Sequence, residues 1–221
     1  MPTYNAPVRD MKFIMQEMLN IGDLTKYEKF SEADTETLDA IIDHGAKVSS
    51  EILTPLNVIG DKEGCTRHSD GSVTTPTGFK EAYAQMVENG MLGLSANPEY
   101  GGMGMPGIWS IAAGEMQSAA NTAFSMYPGL TNGAAKAIEI GGTEEQKKTF
   151  LPKMVSGQWT GTMNLTEPHC GTDLGLLKTK AVPQTDGSYK ITGQKIFISA
   201  GEHDMSENII HLCLARIEGA P

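Results

Sequence analysis

Along most of the chain the apolar positions recur every three or four residues, and toward its end they come in short runs broken by Gly and Asp. The first spacing keeps one face of a helix apolar; the second suits strands whose side chains alternate. Met11, Phe13, Ile14, Met15, Met18 and Leu19 predict a short helix over 10–20, opened by Asp10 as N-cap and packed as an arm. Leu38, Ile41, Ile42, Val48, Ile52, Leu56 and Ile59 follow Asp34 and predict a long amphipathic helix that Pro55 kinks or ends. The polar stretch 60–78 reads as a loop. Further helices are expected over 79–89, 107–120 and 143–155, the last opened by Thr143 and Gln146 at capping-box spacing.

Beyond Gly157 the period shortens, and strands are expected over 163–165, 188–192, 195–199 and 209–217. The fold class is therefore α+β. An N-terminal arm (1–30) precedes an all-helical domain (31–158), and an incomplete antiparallel β domain follows (159–221). About four or five strands are fewer than a closed barrel requires, so the chain is expected to be truncated.

With 221 residues, 39% of them hydrophobic, the chain can bury a real core. Its net charge of -10 comes with no basic stripe, which argues against nucleic-acid or anionic-membrane partners. Cys65, Cys170 and Cys213 lie far apart and are odd in number, so a reducing compartment is the simpler reading. The first ten residues resemble no targeting peptide, and no run approaches the roughly 18 apolar residues of a membrane helix. A cytoplasmic location is expected. Met11, Met15, Met18, Met86 and Met116 sit on helical faces, where adaptable core packing is their ordinary role.

Two windows carry the chemistry. Leu165-Thr166-Glu167-Pro168-His169-Cys170-Gly171-Thr172-Asp173 spends Pro, Gly and Asp on a tight turn after a strand. Downstream, Gly193-Gln194-Lys195-Ile196-Phe197-Ile198-Ser199-Ala200-Gly201 sets an aromatic beside a hydroxyl residue, one hairpin away from the first window. Backbone amides flanked by small hydroxyl residues suit an anionic or carbonyl-rich ligand, and the aromatic can stack on a flat ring. A flavin or nucleotide site and a purely structural turn both remain open on these grounds.

Leu-Thr-Glu-Pro-x-x-Gly-Thr-Asp followed by Gly-Gln-Lys-Ile-Phe-Ile-Ser resembles the flavin-binding pattern of the acyl-CoA dehydrogenases. Pro98-Glu99-Tyr100-Gly101-Gly102-Met103-Gly104 and Gly142-Thr143-Glu144-Glu145-Gln146-Lys147, leading to Leu151-Pro152, are similar to the family's helical domain. The likeness runs over about residues 30–217, and the opening, with Tyr4-Asn5-Ala6-Pro7, resembles the N-terminal arm of a larger subgroup.

The resemblance implies FAD as cofactor and α,β-dehydrogenation of an acyl-CoA thioester as the reaction. The cofactor would meet Met163, Leu165, Thr166, Gly171 and Thr172 on the first window and Phe197, Ile198 and Ser199 on the second, with Thr172 also bordering the acyl-CoA. Phe197 stands where the family usually has Trp, and His169 and Cys170 replace a usual pair of small residues. The α-proton demands a polarised thioester and a carboxylate base. In the family that base lies in a C-terminal helical domain, expected beyond Pro221, so no catalytic residue is assigned here and the fragment alone is expected to be inactive. Glu167 belongs to the flavin-loop motif and reads as a structural carboxylate. An electron-transferring flavoprotein and a homo-oligomeric assembly are implied as partners. An acyl-CoA oxidase of the same fold and a noncatalytic helical interaction module are the alternatives.

Residues 102–107 satisfy GxGxxG, but they follow a helical block and contain Pro106, so a helix connection is expected there. His169, Cys170, His203, Asp204 and His211 lack the spacing of a zinc motif, and no metal site is assigned. Nothing in the sequence shows an activating base for Cys170.

Overall fold

A computed structural model describes residues 3–219; the last two positions of the expected β domain, 220 and 221, lie outside the described residues. Helices come first and strands last. They are α1 (Val8–Phe13), α2 (Thr35–Lys47), α3 (Thr54–Glu63), α4 (Phe79–Glu88), α5 (Gly107–Ala120), α6 (Thr122–Gly141) and α7 (Glu144–Val155). A two-residue hairpin, β1 (Thr66–Arg67) with β2 (Val73–Thr74), interrupts the expected loop 60–78. The later strands are β3 (Trp159–Asn164), β4 (Lys180–Pro183), β5 (Tyr189–Thr192), β6 (Asn208–Cys213) and β7 (Arg216–Ile217).

The local starts and stops follow from side-chain chemistry. Asp34 Oδ1 accepts the Thr37 amide at 2.7 Å and opens α2. Helical structure then runs through a π turn (Val48–Leu53) into α3, whose second residue is Pro55, and the wider π turn lies directly before the proline. The proline therefore does not end the run. Thr143 and Gln146 form the reciprocal capping box of α7.

The arm departs from expectation: α1 opens at Val8, two residues before Asp10, and continues as a π turn (Ile14–Met18). Its Met11 and Met15 are buried, whereas Met18 is exposed because the π turn rotates it off the packed face. The pattern also misses α6, whose interior holds Pro128 and several glycines. Tertiary contacts override those breakers. Asn121 caps α6 by accepting the Phe124 amide at 3.0 Å, and its own amide donates to Leu53 O at 3.2 Å from a position that is 1% exposed.

Three packed clusters result. The arm, α2 and α5 enclose Leu38, Ile42, Trp109 and Met116. The chain from Val48 through α4 and α6 encloses Leu53, Phe79, Tyr83, Met86 and Phe124. Ala134, Ile138, Leu151 and Met154 of α6 and α7 receive Trp159, Ile210 and Leu212 from the strands. That third cluster seats β3 on α6, and Gly161 makes the approach close enough for its amide to donate to Thr131 Oγ1 at 3.1 Å. Loop 201–207 is held to the segment between β2 and α4 as Asp204 Oδ1 accepts both the amide (3.0 Å) and the hydroxyl (2.7 Å) of Thr75.

The strands do not pair in the all-antiparallel manner expected. β3 runs parallel to β6 from Trp159 against Asn208 to Asn164 against Cys213, and β4 pairs antiparallel with β5 and parallel with β7. The long connection 165–207 brings the chain back in its original direction, and such a crossover produces a parallel pair. Among the described strands after Gly157, β4 and β5 form a hairpin, closed at Gly187 with φ 85°.

Candidate functional site

The first window starts at the end of β3. Glu167 and Cys170 exchange backbone hydrogen bonds of 2.8 and 3.1 Å, so residues 167–170 make a tight reverse turn that holds Cys170 inside and leaves His169 and Pro168 outside. The unusual His-Cys pair is thus accommodated, with His169 Nε2 3.0 Å from Leu176 O.

The second window is not a strand. Residues 193–200 are irregular, and Phe197 and Ala200 both take φ of 56°, which no extended run tolerates. The β4–β5 hairpin separates the windows in sequence, as expected, and the windows also meet directly. The Ile196 amide donates to Thr166 O at 3.0 Å, and Lys195 Nζ donates to Leu165 O and Glu167 Oε1, both at 2.9 Å.

These bonds tie Leu165, Thr166 and Glu167 of the first window to Lys195 and Ile196 of the second. Leu165, Thr166 and Ile198 are half-buried, and Met163, Gly171, Thr172 and Ser199 are exposed. Phe197, at 88% exposure, presents its whole ring. Among the described residues, the amides of Gly171 and Thr172 meet no protein acceptor. Unpaired exposed amides and hydroxyls on the first window and a bare aromatic ring on the second are group types suited to a ligand with a flat ring system and a polar, anionic tail, as FAD has.

Glu167 does not belong to the reactive surface. Its side chain is buried, Oε1 accepts the Thr179 amide at 2.9 Å and Oε2 the Lys178 amide at 2.7 Å, and Lys195 is its ion-pair partner. Hydrogen bonding from Thr179 leads in holding this carboxyl far below the ordinary carboxylate range; desolvation opposes it, and the Lys178 amide and the Lys195 ammonium add to the lowering. A carboxylate so stabilised is a very weak base.

Glu167, His169 and Cys170 bring ligand-type atoms within 4.8 Å of one another, yet a cation there would face the Lys195 ammonium and a carboxylate already filled by donors. His203 and His211 lie elsewhere: His203 Nε2 is 3.0 Å from Thr160 Oγ1, and His211 Nδ1 is 2.6 Å from Thr162 Oγ1. Residues 102–107 connect a 3-10 turn (Pro98–Tyr100) to α5 with no preceding strand, as a helix connection does. Sequence reasoning passed over Lys195 and Gly193 as site-building residues. The signal was a lone lysine in an apolar run opposite a lone glutamate in the other window. No helix among the described residues is long and apolar enough to cross a membrane.

The sequence profile described as Acyl-CoA dehydrogenase, N-terminal domain, matches residues 67–158. A 3-methylmercaptopropionyl-CoA dehydrogenase of Ruegeria pomeroyi is 44% identical over 219 residues, covering 99% of this chain and 37% of the relative. A butyryl-CoA dehydrogenase of Syntrophomonas wolfei is 40% identical over 221 residues, covering 98% of this chain and 36% of the relative. A solved acyl-CoA dehydrogenase from Bacillus anthracis, complexed with FAD, superposes with a TM-score of 0.67 at 26% identity, over 86% of this chain and 30% of that one. The chain thus spans little more than a third of the length of the curated relatives it matches.

Proposed function

The chain belongs to the acyl-CoA dehydrogenase family, and from that premise we propose that it is the FAD-binding front part of an enzyme that dehydrogenates an acyl-CoA thioester between its α and β carbons. One observation carries the reading. The two flavin-motif windows, apart in sequence, are joined by the Ile196 to Thr166 bond and the Lys195 bridge, which supports their acting as one cradle.

In this reading the arm (1–30) and the helical domain (31–158) form the platform for a β unit (159–221) whose loops hold cofactor and thioester. Bound FAD supplies the hydride acceptor. Thr166 and the amides of Gly171 and Thr172 orient its polar edge, Met163 and Leu165 line the approach, and Phe197, Ile198 and Ser199 cover the ring, with Thr172 also bordering the thioester. Phe197 offers stacking area but no N–H donor. By the family resemblance, the base that takes the α-proton is a carboxylate beyond Pro221; Glu167, tied up as an anion by two amides and an ammonium, does not take that role. The protein acts in the cytoplasm as a homo-oligomer and passes electrons to an electron-transferring flavoprotein. The substrate is a short acyl-CoA such as 3-methylmercaptopropionyl-CoA or butyryl-CoA, the compounds for which the two relatives are named.

An absorbance spectrum between about 350 and 500 nm, followed by anaerobic titration with a panel of acyl-CoA thioesters, tests this. Bleaching of the flavin band by a short thioester is expected. A protein that stays colourless after FAD is added would overturn the reading.

A further inference from the structure

We infer that Lys195 and Glu167 are a pair of positioning residues that fix the distance between the two halves of the cofactor cradle; the consequence for FAD rests on the function proposed above. The pair lies beneath the site, with side chains 9% and 2% exposed. Each partner does more than face the other. Glu167 collects the Lys178 and Thr179 amides at the entry to β4, and Lys195 also donates to Leu165 O. One carboxylate and one ammonium therefore fasten together three separate stretches of chain: the loop after β3, the start of β4, and the segment before Phe197.

Neighbours in sequence make this consequential. Glu167 directly follows Thr166, and Lys195 directly precedes Ile196, whose amide donates to Thr166 O. Any change in the reach of the ion pair shifts Thr166 relative to Phe197, Ile198 and Ser199, although neither charged group lies on the open surface. A buried ion pair is a poor source of net stability, since desolvation cancels much of its attraction, but it enforces one geometry because an unpartnered buried charge is costly. Gly193 supports the same joint: a methyl group there would collide with Thr179 Oγ1 and come within 2.8 Å of Thr179 Cα, so the backbones of 193 and 179 lie close only because no side chain separates them.

The test is a double-mutant cycle on the purified protein with Lys195→Met, Glu167→Gln and the double variant. Two readouts are taken. Amide hydrogen exchange without FAD is expected to quicken by about tenfold or more at Lys178, Thr179 and Ile196 in each single variant, while α6 amides keep wild-type rates. FAD titration is expected to show affinity reduced by about tenfold or more, with an altered visible circular dichroism of the bound flavin, and the double variant no worse than the poorer single one.

Additive losses in the double variant would overturn the inference, since independent groups would then be acting. Wild-type exchange at all three amides would overturn it as well. Faster exchange at those amides in a protein that takes up no FAD would uphold the positioning role and overturn the flavin reading alone.

Discussion

Replacing Gly161 by alanine probes the joint on which the site stands. Gly161 lies on β3 against α6, and an added Cβ would come within 2.7 Å of Ala134 Cβ, 2.8 Å of Met154 Cε and 3.5 Å of Thr131 Cα. Carbon atoms pack at about 3.5–4.0 Å, so strand and helix must part by about 1 Å. Met154 can swing its terminal methyl aside, whereas the Ala134 methyl is fixed to the α6 backbone. Parting also breaks the 3.1 Å bond from the Gly161 amide to Thr131 Oγ1. Overpacking costs about 1–3 kcal/mol and a buried amide left without its acceptor about 1–3 more, while stiffening of the unfolded chain returns about 0.4–1. The expected net loss is about 2–4 kcal/mol, or about 5–15 °C in Tm for a chain of this size. Urea denaturation, with the slope m checked for constancy, measures it. Gly114→Ala is the control: it lies within α5 with nothing within 4 Å of the added methyl, and should stabilise by about 0.5–1 kcal/mol. A Gly161→Ala protein within about 0.5 kcal/mol of wild type would refute the close β3 to α6 contact.

His203 gives a pH dependence. It is buried beside the Tyr127 ring at 5.2 Å, with Thr160 on Nε2, the Met205 amide donating to Nδ1 at 3.2 Å, and Glu202 and Asp204 flanking it. Desolvation lowers its pKa, with Glu202 and Asp204 opposing, so the unfolded chain takes up the proton first. The stability it confers is complete above the unfolded value of about 6.5 and fades as pH falls below it. His203→Asn should flatten the fall of the urea midpoint between about pH 6.5 and 5; an identical fall in both proteins would count against it. Thr166→Ala and Phe197→Ala should each weaken FAD retention with little change in the urea midpoint, because Phe197 is exposed and Thr166 only half-buried; wild-type flavin content in both variants after gel filtration would sink the site assignment.

The sequence by itself determined the order of helices before strands, the caps at Asp34 and Thr143, and the two windows that hold the proposed cofactor contacts, because these are local chemistry written in adjacent residues. It misplaced what depends on distant contacts. Helix α6 forms through Pro128 because Phe124, Ala134 and Ile138 are buried and Asn121 is bonded to Leu53, none of which a local scan for breakers registers. Strand direction was set by where loop 165–207 could return the chain. Residues 195–199 carry a strand's composition, yet Lys195 is drawn under the loop by Glu167 and the backbone turns left-handed at Phe197. Only tertiary structure could decide these points, since a buried charge must find its partner wherever the chain has put it, and local propensity gives way.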